Sequence, residues 1–187
     1  MSTKPLYDPE KVRQAIEVLV EPSSVFEIRC LEATNDYRFK RTIAGFFDNA
    51  DAAAQALADI ESAKGIYITL NPVNPALHSI RCNRLGTASK GETTGDNHVQ
   101  KRRWLLIDCD PKRISPHISS TDDELKRAVE KADEIKAYLS GLGFPDCLEA
   151  VSGNGKHLLY RIDQPSNDEH LVEHVLGALR HRRCRTH

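Results

Sequence analysis

Two aspartates one residue apart, Asp108 and Asp110, close the apolar run WLLIDCDP. Alternate side chains of a β-strand point to the same side of a sheet, so both carboxylates share one face while Ile107 and Cys109 face the opposite way. Paired carboxylates repel one another, and a divalent cation such as Mg²⁺ or Mn²⁺, completed by phosphate oxygens, is their natural partner. In nucleotidyl transfer such ions activate the attacking hydroxyl and neutralise the leaving pyrophosphate. The structural alternative is that the aspartates only end an edge strand before Pro111.

A second group of chemically capable residues lies in the stretch VSGNGKHLLYRID. Ser152 opens a turn in which Gly153 and Gly155, on either side of Asn154, allow backbone N–H groups to point inward and bind an anion. His157 starts the next strand, where its imidazole can reach a phosphate. The alternative is that the turn is only a hairpin connector and that the histidine is an ordinary surface or core residue.

Periodicity and capping signals predict the elements that must position these residues. Thr121 and Glu124 form a capping box ahead of an apolar stripe, which predicts a helix. The full set of predicted elements is a helix over 10–20, a strand over 25–33, a helix within 45–65, a strand over 65–71, a long polar loop over 71–100, a strand over 104–110, the helix after Thr121, a hairpin of strands 147–151 and 156–162, and a helix over 168–179. This order predicts an α+β fold, with a mixed, largely antiparallel sheet of the palm or RNA-recognition-motif type and helices packed on one face.

Length and charge limit the class of protein. The 187 residues carry 26 Lys and Arg against 27 Asp and Glu, a formal net charge of −1, so a nucleic-acid site must be a local patch. We expect a single domain over 1–179, followed by a basic tail over 180–187 that is disordered or serves as a phosphate-binding arm.

Cysteine usage and hydropathy bear on the compartment. The five cysteines contain no CxxC pair, which argues against a disulfide framework and a zinc ribbon. The start MSTKPLYDPEKVRQ has no apolar core, and no window is long and apolar enough for a membrane span. We therefore expect a cytoplasmic protein without a membrane partner.

The combination of WLLIDCDP with VSGNGKHLLYRID resembles the archaeo-eukaryotic primase, or primase-polymerase, superfamily, particularly its forms in phages, plasmids and other mobile elements. The upstream stretches FEIR, AGFFDN and GIYITLNPVNPAL are similar to the N-terminal part of those proteins, so the resemblance runs from about residue 20 to about residue 178.

The resemblance implies roles for individual residues. Asp108 and Asp110 match the first, metal-binding motif. The second motif is matched by Ser152, Gly153, Gly155 and His157, with Asn154 in the same turn, and its histidine contacts the phosphates of the incoming nucleotide. The implied activity is metal-dependent synthesis of a primer or DNA strand from nucleoside triphosphates on a single-stranded DNA template, with Mg²⁺ or Mn²⁺ and with a helicase or other replication partner.

The family pattern is incomplete in this chain. Its third motif places a further aspartate after an apolar residue on a later strand, and we expect a chain truncated before that motif. Asp163 closes the hairpin strand and can replace the missing carboxylate only if the sheet brings it near Asp108. Loss of a carboxylate from a two-metal site is expected to remove most of the catalysis.

A second class of function is therefore kept open, a noncatalytic binder of nucleic acid or nucleotide. Such a binder keeps the phosphate-facing turn and uses a basic rim formed by Lys101, Arg102, Arg103, Lys112 and Arg113. A metal-dependent nuclease or rolling-circle initiator is disfavoured because the chain contains no HxH pair beside a tyrosine nucleophile. Salt-sensitive DNA binding without nucleotide incorporation distinguishes the binder from the enzyme.

Overall fold

The computed structural model describes residues 8–34, 39–111, 118–152 and 154–167, together with His174 and Gly177. The chain forms two compact units, Met1–Arg102 and Arg103–His187. The described residues include helices and two mostly antiparallel sheets, so the α+β class predicted from the sequence is confirmed. The single domain over 1–179 stays a prediction, and the basic tail over 180–187 lies outside the described residues.

The described residues of the first unit form two α-helices, two short 3₁₀ helices and a four-stranded sheet. Its sheet has the strand order β3-β1-β2-β4, and each of the three pairings is antiparallel. The elements are α1 Pro9–Leu19, β1 Phe26–Ala33, β2 Arg41–Phe47, α2 Ala50–Leu57, β3 Gly65–Ile68, a 3₁₀ helix Pro75–Ile80, β4 Gly86–Thr87 and a 3₁₀ helix Asp96–His98.

Local signals explain where the two helices of this unit begin. Asp8 caps α1 by accepting a hydrogen bond from the backbone N–H of Glu10 at 3.1 Å, and Pro9 occupies the first helical position, where its missing N–H has no cost. Asn49 caps α2 in the same way, accepting from the N–H of Ala52 at 2.9 Å. Both helices then pack on one face of the sheet, and their shared core consists of Ile16, Phe26, Ile28, Cys30, Ala33, Ile43, Phe47, Ala53, Leu57 and Ile60.

Strand β2 is the longest element that the sequence analysis missed; β4 and the two 3₁₀ helices lie in the segment predicted as a loop over 71–100. The prediction placed a helix within 45–65, but Arg41–Phe47 is a strand and the helix is limited to Ala50–Leu57. The reason is tertiary: Phe46 and Phe47 are fully buried, and a Cβ on Gly45 would lie 2.0 Å from the carbonyl oxygen of Arg84. Pairing with β1 and this close backbone approach therefore decide the conformation of a segment whose local pattern is ambiguous.

The second unit carries most of a three-stranded sheet with one described helix. Its elements are β5 Lys101–Cys109, which begins at the last two residues of the first unit, α3 Asp122–Gly141, β6 Leu148–Val151 and β7 Lys156–Pro165. The strand order is β5-β7-β6, so the last strand in sequence lies between the other two. Strands β6 and β7 pair antiparallel, which confirms the predicted hairpin.

Helix α3 covers one face of this sheet. Its capping box is formed as predicted, because Thr121 Oγ1 accepts from the N–H of Glu124 at 3.3 Å while the Glu124 carboxylate accepts from the N–H of Thr121 at 2.9 Å. The core beneath it consists of Leu105, Ile107, Cys109, Ala132, Leu139, Leu158 and Tyr160. The helix predicted over 168–179 falls outside the described residues apart from His174 and Gly177. Within the described parts of the chain, no helix has the length and apolar character needed to cross a membrane.

Candidate functional site

Strand β5 presents Asp108 on the sheet face opposite α3, and Asp110 is the first residue after the strand. Ile107 and Cys109 are buried in the core under the helix, whereas Asp108 and Asp110 are exposed, and 51% of the Asp108 side chain is accessible. The alternation follows from the period of two of an extended strand. Two exposed carboxylates therefore lie one residue apart at the end of this strand.

Strand β7 brings His157 to the same face. The preceding residue, Lys156, points to the helix side, where its Nζ pairs at 2.6 Å with Asp133 Oδ1 on α3 and at 2.6 Å with Glu149 Oε2 on β6. His157 consequently points the other way, and its Nε2 lies 3.3 Å from Asp108 Oδ1. The two motifs, about fifty residues apart in sequence, meet at this contact.

Charges on the helix side hold the start of β7 in place. The pKa of Glu149 is lowered to about 2 by hydrogen bonds from Lys136 and then from Lys156. The pKa of Lys156 is raised, first by its hydrogen bond to Asp133 and second by that to Glu149. This network ties β6, β7 and α3 together one residue before His157, so it fixes the direction in which the imidazole points.

The turn between β6 and β7 is organised by hydroxyl groups. Ser152 Oγ accepts from the backbone N–H of Gly155 at 3.1 Å and from that of Asn154 at 3.4 Å. From outside the turn, Ser120 donates its N–H to Asn154 Oδ1 at 3.1 Å and its hydroxyl to the Asn154 carbonyl at 2.7 Å. Gly153 lies outside the described residues. An anion that binds to the N–H groups of Asn154 and Gly155 must compete with the Ser152 hydroxyl.

Gly155 makes the second contact between the two motifs. A Cβ at this position would lie 2.5 Å from Asp110 Oδ1 and 2.5 Å from the carbonyl oxygen of Cys109. Its φ is not among the positive values of the chain, so close approach of the backbones, not an unusual dihedral angle, requires glycine here. Sequence reasoning identified Gly155 but not this reason, because only the pairing of β5 with β7 creates the contact.

The donor set fits a hard cation in part. Carboxylate oxygens are suitable ligands for Mg²⁺, which is commonly held by one or two carboxylates, with waters and substrate phosphates completing the shell. Asp108 and Asp110 are such a pair. Among the residues that the structure describes, however, no three His, Cys, Asp or Glu side chains form a group that could hold a metal ion.

Asp163 lies far from Asp108 and Asp110. It lies on the same strand as His157 but six residues farther on, which corresponds to roughly 20 Å along an extended strand. Its Oδ2 instead accepts from Arg161 Nε at 2.6 Å. The sheet therefore does not bring Asp163 near Asp108, which was the condition for Asp163 to serve as a third carboxylate.

The predicted basic rim is only partly on the surface. Arg103 is buried, with 6% of the residue exposed, and Arg102 is half-buried. Lys101 is also half-buried, and its Nζ pairs with Glu21 Oε2 at 2.7 Å. Lys112 and Arg113 lie outside the described residues. In the described part of the rim no residue is fully exposed, so a phosphate backbone would meet little accessible positive charge.

Comparisons of the chain with protein-family models, with curated proteins and with solved structures gave no match. The geometry of Asp108, Asp110, His157 and the adjoining turn is thus the basis on which a function can be assigned.

Proposed function

We propose that the chain carries a nucleotidyl-transfer site of the primase-polymerase type, on a palm-like β5-α3-β6-β7 unit, and that it acts in the replication of a phage or other mobile element. The observation that carries this proposal is the 3.3 Å separation between His157 Nε2 and Asp108 Oδ1, with Gly155 against Asp110. A carboxylate pair that only ends a strand does not require a histidine and a glycine turn packed beside it. All three suit a site for a metal-bound triphosphate, in which the carboxylates face the cation and the histidine faces a phosphate oxygen.

The proposed reaction joins a nucleotide to a 3′-hydroxyl paired with a DNA template. The hydroxyl oxygen forms a bond to the α-phosphorus, the bond to the leaving pyrophosphate breaks, and the hydroxyl proton passes to solvent. A divalent ion, when bound by Asp108 and Asp110, supplies the positive charge that the triphosphate requires. His157 donates its Nε2 hydrogen to a phosphate oxygen, exchanging its contact with Asp108 for one with the substrate.

The number of carboxylates sets an expectation for the strength of this activity. Two protein carboxylates hold a divalent ion more weakly than three, since each ligand adds charge to the site. Nucleotide incorporation is therefore expected to depend steeply on the concentration of Mg²⁺ or Mn²⁺.

Primer synthesis and primer extension on single-stranded DNA test the proposal. The variant Asp108→Asn/Asp110→Asn keeps the size of both side chains and removes both charges. Asp122→Asn/Asp123→Asn is the matched control, because it removes two exposed charges from the first turn of α3 and leaves the site intact. Incorporation by the wild type and the control, but not by the site variant, is the expected result, with circular dichroism and gel filtration confirming that all three fold. Equal incorporation by the site variant would refute the assignment.

A noncatalytic binder of nucleotides or DNA is the second candidate. It is favoured by the finding that, among the described residues, no group of three His, Cys, Asp or Glu side chains could hold a metal ion. Salt titration of DNA binding, run with the same three proteins, separates the two functions. Binding that weakens with salt while a folded wild type incorporates no nucleotide would establish the binder.

A further inference from the structure

A cavity of about 460 Å³ lies on the first unit, on the face of β1 that points away from α1 and α2. The side of β1 that carries Glu27, Arg29 and Leu31 forms its floor. The end of β3 and the residues after it form one wall, and the second 3₁₀ helix with its flanking residues forms the other. Its most informative lining residues are Glu27, Arg29, Leu31, Tyr67, Asn71 and Asp96. The volume is within the range of small-molecule sites and suits one ring system with an attached sugar.

An arginine in this cavity is held rigidly by a buried carboxylate. Glu27 is 1% exposed and accepts hydrogen bonds from Arg29 Nε at 2.9 Å, from Arg29 Nη2 at 2.7 Å and from the N–H of Thr94 at 2.9 Å. Arg29 Nη2 also donates to the Thr94 carbonyl at 3.0 Å. Within the described residues Arg29 Nη1 donates no hydrogen bond, so two oriented N–H groups are available to a ligand.

The charge of the lining argues against an anionic ligand. Arg29 supplies one positive charge, while Glu27 and Asp96 supply two negative charges. A phosphate or carboxylate would meet a net negative lining and find the single cation already paired. A neutral ligand that both accepts and donates hydrogen bonds suits this lining.

The remaining walls are apolar and partly flat. Leu31, Ile68, Leu70 and Val99 line the cavity together with Tyr67, whose 56% exposure leaves its ring accessible for stacking. Flat heteroaromatic rings stack on such side chains. A planar, neutral ring with polar edges therefore matches the apolar walls as well as the charges.

We infer that this cavity binds a nucleobase and that guanine is the best match. Guanine presents O6 and N7 as acceptors, which Arg29 can contact, and arginine to this edge is the commonest specific contact between side chains and bases. Its N1–H and N2–H₂ groups are donors, and Asp96 is a carboxylate acceptor on the same lining. The base comes from a free nucleoside or from an unpaired guanine in a single strand, and the chemistry of recognition is shared by both.

Titration calorimetry on the full chain tests the inference with guanosine, inosine, adenosine and two thymidine oligonucleotides, one of which contains a single guanine. Asp96→Asn, in an exposed residue, is expected to weaken guanosine binding roughly tenfold or more and inosine binding less, because inosine lacks the N2 amino group. Leu31→Trp is expected to fill the cavity and abolish binding. Asp59→Asn is the control, since it removes the charge of an exposed aspartate that does not line the cavity.

The titrations with different ligands identify the source of the base, and their results can overturn the inference. Binding of guanosine identifies a nucleoside site, and binding of only the guanine-containing oligonucleotide identifies an unpaired base in a strand. No binding of either by folded protein overturns the inference, as does equal binding of guanosine and adenosine. An unchanged affinity in Asp96→Asn also overturns it, and this variant remains informative if Leu31→Trp fails to fold. The cavity lies in the first unit and the proposed catalytic residues lie in the second, so guanosine binding and nucleotide incorporation can fail independently.

Discussion

Replacing Gly155 with alanine tests the contact that joins the two motifs of the site. The added Cβ would lie 2.5 Å from the Cys109 carbonyl oxygen and 2.5 Å from Asp110 Oδ1, whereas ordinary contact begins at 3.4 Å, so these atoms must move apart by about 0.9 Å (3.4 − 2.5). The Asp110 side chain can rotate away, but Cys109 presents backbone, and β5 must shift relative to the turn. Overpacking of this kind costs about 1–3 kcal/mol.

We therefore expect Gly155→Ala to lower the free energy of unfolding by about 2 kcal/mol in urea denaturation, and to reduce nucleotide incorporation beyond this loss of folded protein because Asp110 is displaced. Gly141→Ala, at the end of α3, is the control. No atom lies within 4 Å of its added Cβ, and alanine in a helix is favoured over glycine by up to about 1 kcal/mol. A Gly155→Ala protein with wild-type stability and wild-type incorporation would refute the reasoning.

Three further changes address the elements that support the site. Ser152→Ala removes the acceptor of two turn N–H groups and should cost about 1–2 kcal/mol, with faster amide hydrogen exchange at Asn154 and Gly155; unchanged exchange would contradict this role. Thr121→Ala removes the cap of α3 and should lower the free energy of unfolding by about 1 kcal/mol, whereas Thr121→Ser should retain most of it. In the folded protein the pKa of Glu149 is lowered from 4.5 to about 2, so its ion pairs stabilise the fold above pH 4.5 and this stabilisation is lost as the pH falls from 4.5 to about 2. Over this interval the free energy of unfolding should fall more steeply with decreasing pH for the wild type than for Glu149→Gln. Parallel curves for these two proteins would show that the ion pairs do not contribute.

The sequence determined the elements whose signals lie within a few residues. Asp8 and Pro9 start α1, and the reciprocal capping box of Thr121 with its partner starts α3, since each signal acts on N–H groups of its own first turn. The period of two in WLLIDCD predicted the exposure of Asp108 between buried Ile107 and Cys109, and the turn between two apolar runs predicted the hairpin of β6 and β7.

Only the tertiary structure decided features that depend on distant partners. Strand β2 forms because β1 and the backbone at Arg84 lie beside it, and no local pattern contains that information. Arg103 was expected at an exposed basic rim, but packing between segments far apart in the chain buries it. The hydrogen bonds that Glu27 accepts from Arg29 and Thr94 also depend on such packing. The contact of His157 with Asp108 depends both on the local sequence and on the tertiary structure. Residue types and the strand period identified the two side chains as candidates for one site. The strand order β5-β7-β6 places His157 Nε2 3.3 Å from Asp108 Oδ1, because adjacent strands lie within about 5 Å of each other.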